Sequence, residues 1–145
     1  MGSGSVLGLI TTAEGRRPRV AVVGGTPASA MVASVLIEQF GCSPIASLTG
    51  EAAAARVGRD EIDLAVIDLS DPGLNGILVA QRLGALGTRA LPMIGLADAG
   101  WSTAAPAARA AGISAVVTKP YSPRELYGAM RAALGVPATA ASEAR

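Results

Sequence analysis

The sequence predicts a doubly wound α/β domain with a parallel sheet, and three observations point there. Five short apolar runs alternate along the chain with five helix-like segments. The runs are mainly apolar without strict alternation, as strands covered by helices on both faces are. At 145 residues and 50% apolar content, the chain is one domain's worth of sequence and can close a core.

The strands expected are VAVV (20–23), PIAS (44–47), LAVI (64–67), LPMIGL (91–96) and SAVVT (114–118). The first helix follows Thr26 as N-cap and Pro27 at the first helical position, carries Ala28, Met31, Val32, Val35, Leu36 and Phe40 at helical spacing, and stops at Gly41. The second, EAAAARV, follows Thr49-Gly50. The third runs from Gly76 to about Leu86 with Ile77, Val79, Ala80, Leu83 and Leu86 apolar. The fourth runs from about Ser102 to Ala111, and Pro106 makes its first turns irregular. The fifth opens on Ser122-Pro123-Arg124-Glu125, a capping box, and carries Leu126, Met130 and Leu134 on one face. Residues 1–17 and 137–145 fall outside this pattern and read as an N-terminal tail or linker and a C-terminal tail around a domain of residues 18–136.

Composition narrows the function. Formal net charge is +1 with no block of like charge, so no nucleic-acid or membrane partner is expected through bulk electrostatics. Cys42 is the only cysteine, which excludes an intramolecular disulfide and a multi-cysteine zinc site and fits a cytoplasmic location. There is no histidine, hence no imidazole base and no imidazole metal ligand. No apolar stretch approaches the length of a membrane span.

In a doubly wound sheet the chemistry sits at the carboxyl ends of the strands. The first strand ends in Gly24 and Gly25, the third in Asp68 and the fifth in Lys119-Pro120. An acid and an amine at one sheet edge can meet. Taken singly, Asp68 reads as a turn former and Lys119 as a solvated strand end. The glycines lie where backbone amides can cradle an anion, but they lack both the G-x-G-x-x-G spacing and a P-loop lysine. Glycine there also relieves crowding in a tight turn.

DLAVIDLSDPGLNG (63–76), LPMIGLADAG (91–100) and AARAAGISAVVTKPYSPREL (107–126) resemble the receiver domain of two-component response regulators, in register from about Arg19 to Leu134. The resemblance implies a flavodoxin-like doubly wound five-stranded parallel sheet of order 2-1-3-4-5 with five helices. It makes Asp68 the equivalent of the phosphoaccepting aspartate and Lys119 the equivalent of the lysine that contacts the phosphoryl group. Pro120 and Gly76 match the proline and the loop glycine that accompany them.

The departures from the receiver pattern are specific. Gly24 and Gly25 replace the two acidic residues that hold Mg²⁺, Ala97 replaces the strand-four Thr or Ser, and Val116 replaces the switch aromatic. Mg²⁺ demands several hard oxygen ligands, so its binding is expected to be weak or absent, and no cofactor is expected. The expectation is a pseudo-receiver: a non-enzymatic, phosphorylation-independent interaction or regulatory module, free-standing or within a larger regulator such as a hybrid histidine kinase. Its partner would be a histidine kinase, a phosphotransfer domain, an output domain or a second copy of itself. Trp101, Tyr121 and Tyr127 are the interface candidates, each with packing on its own helix as the alternative and Tyr127 equally a core residue, and the first helix is the competing face. A genuine phosphoacceptor using Asp68, or a small-molecule sensor with the glycine-lined mouth as its pocket, are the alternatives.

Overall fold

The computed structural model describes residues 8–87, 90–101 and 105–135. The C-terminal tail expected over 137–145 lies outside these. Strands β1 (Arg19–Val23), β2 (Ser43–Leu48), β3 (Leu64–Asp68), β4 (Met93–Ala97) and β5 (Ile113–Thr118) form one parallel sheet in the order β2-β1-β3-β4-β5. Helices α1 (Pro27–Gln39), α2 (Gly50–Gly58), α3 (Gly76–Leu86), α4 (Ala105–Ala110) and α5 (Pro123–Leu134) alternate with them. This is the flavodoxin-like arrangement that the sequence predicts.

Caps fix the helix starts. Thr26 and Thr49 accept backbone N–H groups of Ser29 and Ala52, and Ser122 and Glu125 form a complete capping box. Asn75 caps α3 from a left-handed conformation, φ 52°.

The sheet separates two apolar layers. On one side Val20, Val22, Leu64, Val66, Ile94 and Leu96 meet α1 and α5 residues such as Ala33, Ile37, Leu126 and Met130. On the other, Ala21, Val23, Ala65, Ile67 and Met93 meet α2, α3 and α4 through Ala53, Val57, Ala80, Leu83 and Ala108. Strands β3 and β4 are buried along their whole length, which is why they carry no alternation.

Helix α1 is turned differently from its expected stripe. Ala30, Ala33 and Ile37 face the sheet, while Met31, Val32 and Val35 are exposed. The helix is apolar almost all round, with Glu38 its one charged residue, so spacing alone could not choose the buried face. Small alanines allow the closer approach to the sheet.

Residues 8–17, which fall outside the strand–helix pattern, are joined to the domain. Ile10 is 1% exposed within the α1–α5 layer, and its N–H donates to Phe40 O at 2.8 Å. The Tyr127 hydroxyl donates to Gly8 O at 2.8 Å, and its ring stands edge-on to Phe40. Farther along, Arg16 and Arg19 both grip Asp63, a buried carboxylate just before β3, with contacts of 2.9–3.2 Å. Burial alone would push the Asp63 carboxyl up. The hydrogen bonds from Arg16 and Arg19 outweigh it and hold the group well below the usual carboxylate range. Cys42 is fully buried, and burial pushes its thiol up to about 11.

Candidate functional site

The carboxyl ends of β1, β3, β4 and β5 bring together Gly24, Gly25, Asp68, Ala97 and Lys119. Asp68 closes β3 and is 4% exposed. Its Oδ2 accepts from Lys119 Nζ at 2.7 Å, and its Oδ1 accepts from Ser70 N–H at 3.0 Å. The two groups that the sequence places on one edge thus form an ion pair. Lys119 is placed by its own N–H, which donates to Ala97 O at 2.8 Å, and by a cis peptide bond to Pro120. Its side chain keeps partial access to water, and the exposed Asp98 carboxylate lies 4.0 Å away.

Gly24 and Gly25 both have left-handed backbones, with φ 79° and 88°. A side chain at either position would require Leu74 or Asp68 to shift. A Cβ at Gly24 would lie 2.6 Å from Leu74 Cδ2, and one at Gly25 would lie 2.7 Å from Asp68 Oδ2. The pair therefore does more than leave a turn uncrowded: its backbone takes a path that L-residues avoid.

Asp71 fixes that path. Its Oδ2 accepts from Gly25 N–H at 2.8 Å and its Oδ1 from Gly73 N–H at 2.9 Å, so it ties the β1–α1 turn to the β3–α3 loop. These two backbone donors hold the Asp71 carboxyl below its ordinary range. Ser70 acts similarly between strands, its Oγ accepting from Asp98 N–H at 2.7 Å. Sequence reasoning missed both roles. The signal was faint: DLSDPG reads as a turn, and an Asx turn explains Asp71 only as far as Gly73.

Every carboxylate oxygen of Asp68 and Asp71 is thus engaged by an N–H or an ammonium. Among the described residues, no group of three His, Cys, Asp or Glu side chains comes together in a way that could hold a metal ion.

The remaining sequence candidates separate. Ala97 is buried and offers only a methyl group, and Val116 is half-buried against the α2–α4 layer. Trp101 packs half-buried against the same layer, and Tyr121 against the other, where burial raises its hydroxyl. Tyr127 is corrected: it is 8% exposed, its hydroxyl is spent on Gly8 and Arg131 lies over its ring. It belongs to the core, because the N-terminal segment covers the face it would offer.

A five-stranded sheet of this order, with an acid–lysine pair at its carboxyl edge, defines the class: flavodoxin-like signal-receiving domains. The chain belongs to the response regulator receiver domain family, whose model matches residues 20–131. It is 28% identical over 115 residues to the sensor protein GacS of Pseudomonas syringae pv. syringae, a match that covers 77% of this chain and 13% of that much longer protein. Among solved structures, it is similar to a response regulator receiver protein from Burkholderia phymatum (TM-score 0.71, 26% identity, 85% of this chain and 99% of that one). It also matches a CheY-like receiver domain from Methanospirillum hungatei in fold (TM-score 0.72, 19% identity, 82% and 94% covered). Receiver domains are non-catalytic modules of two-component signalling. Among the described residues, no helix is long and apolar enough to cross a membrane.

Proposed function

We propose that this receiver domain is a pseudo-receiver, a docking or regulatory module whose working conformation does not depend on phosphorylation. The observation that carries the reading is the mouth of the sheet. The positions of the acidic pair are held by two left-handed glycines, which bring no carboxylate to the mouth. The residues present do not fit a Mg²⁺ ion, which requires near-octahedral oxygen ligation. Asp68 and Asp71 are the carboxylates against the two glycines, and their oxygens accept from Lys119, Ser70, Gly25 and Gly73. Phosphoryl transfer is mostly positioning and charge stabilisation, so loss of the cation removes the larger part of the catalytic assistance.

The relay beyond the acceptor is reduced as well. Ala97 has no hydroxyl to follow a phosphoryl group, and Val116 has no ring to swing. A modification at Asp68 would therefore have little differential affinity for two states. On this reading the domain offers one face at all times to a histidine kinase, a phosphotransfer domain, an output domain or a second copy of itself. Trp101 and Tyr121 are the aromatic contacts proposed.

Incubation with an acyl phosphate and Mg²⁺, followed by intact-mass measurement, tests this. The expected result is no phosphoryl adduct above that of Asp68→Asn. A stoichiometric adduct that disappears in Asp68→Asn would favour the second reading, a genuine phosphoacceptor, which the Asp68–Lys119 pair itself supports. The variant is expected to fold and to lose about 1.5–3 kcal/mol in a urea titration, the scale of one hydrogen bond to a charged group. Because Asp68 is buried, its loss should exceed that of an exposed surface pair.

A further inference from the structure

Beside the Asp68–Lys119 pair, on the α2–α3 side of the mouth, lies an open cleft of about 630 Å³. Its volume falls within the roughly 300–1,000 Å³ typical of small-molecule sites. We propose that this cleft binds a small zwitterion of the amino-acid type, with an apolar side chain. The inference goes beyond the pseudo-receiver reading and does not depend on whether Asp68 accepts a phosphoryl group.

The cleft is built rather than incidental. Its floor is main chain at Gly24 and Gly25, fixed by the Asp71 clamp and kept clear because neither residue has a side chain. Gly50 lets α2 approach α3 closely, since a Cβ there would lie 3.0 Å from Val79 Cγ2.

The lining then specifies the chemistry. Leu74, Val79 and Pro27 supply an apolar wall. Glu51, in the first turn of α2, and Arg82, on α3, bring opposite charges to the same cleft. Among the described residues, neither makes a hydrogen bond or an ion pair, with the other or with any third group. Asp71, the other charged lining residue, has an oxygen on each of two backbone N–H groups. A purely anionic ligand would pair with Arg82 but meet Glu51, and a purely cationic one would face the reverse. Both side chains are exposed to water, and a ligand carrying both charges can engage the two at once, with its carboxylate on the guanidinium and its ammonium on Glu51. Gly25 also lies directly against Asp68, so an occupied cleft would bear on the receiver pair itself.

Three matched probes separate the contributions: L-phenylalanine, 3-phenylpropionate without the ammonium and 2-phenylethylamine without the carboxylate. Titration followed by backbone amide shifts is expected to move Gly24, Gly25, Gly50 and Gly73 with phenylalanine. Each single-charge analogue should bind about five-fold more weakly, the effect of one solvent-accessible ion pair. Arg82→Gln should lower phenylalanine to the affinity of phenylethylamine, and Glu51→Gln to that of phenylpropionate. Gly73→Leu, at an exposed glycine with ordinary backbone, should block the cleft without disturbing the fold. Three results would each overturn the proposal: no shifts with phenylalanine, shifts centred on Met31, Val32 and Val35 of α1, or equal affinities for all three probes.

Discussion

Replacing Gly24 and Gly25 together by aspartate is expected to lower the unfolding free energy by about 2–4 kcal/mol, and Mg²⁺ is not expected to recover the loss. A left-handed conformation costs an L-residue about 1–2 kcal/mol, and here two in succession would bear it. The new Cβ atoms would also press on Leu74 and on the Asp68 carboxylate. Urea denaturation of the variant with and without Mg²⁺ checks this. A variant as stable as the parent, or one rescued by the ion, would mean that the turn readily adopts the path of an acidic pair. The glycines would then be tolerated replacements instead of required ones.

The second large effect is expected at the opposite end of the sheet. Asp63→Ala removes the acceptor shared by Arg16 and Arg19 and should cost about 2–3 kcal/mol. This is less than for a fully buried pair, because both guanidiniums reach water. The effect depends on pH in one direction. The folded carboxyl titrates below the unfolded value of about 3.9, so its stabilisation is complete above about pH 5. It is lost as the pH falls, because the unfolded chain takes up a proton that the folded one does not. Denaturation midpoints of wild type and variant should therefore differ most at pH 7 and converge toward pH 3. A gap that stays constant across that range would mean that Asp63 acts through packing alone.

The parallel sheet was legible because buried parallel strands read as apolar runs and the helices between them carry caps such as Thr26 and the Ser122–Glu125 box, whereas the strand order came from the resemblance to receiver domains. The meeting of Asp68 with Lys119 was legible from topology, since both end strands on one edge. What spacing could not decide was the orientation of α1. Its apolar residues surround the helix, and the choice of Ala33 and Ile37 over Val32 and Val35 follows from the fit against β1 and β2. The glycine pair was visible as a departure, but its left-handed geometry depends on Asp71, a contact spanning 46 residues that no local pattern encodes. Tyr127 stayed open between interface and core for a similar reason. Its partner Gly8 lies 119 residues away, in a segment with no periodicity of its own.

That segment changes where the domain begins as a physical object. The family match starts at residue 20, yet Ile10 fills the α1–α5 layer, and the Arg16 and Arg19 guanidiniums both pair with the buried Asp63 carboxylate. Excising the domain at the family boundary would open a cavity beside Phe40 and Tyr127 and remove Arg16 and Arg19 from Asp63, so an isolated fragment would understate the stability of the native unit. The Ile10 amide belongs to no helix or strand but is tied to Phe40 and covered by core side chains. Its hydrogen should therefore exchange with solvent on the timescale of global unfolding, like those of the central strands.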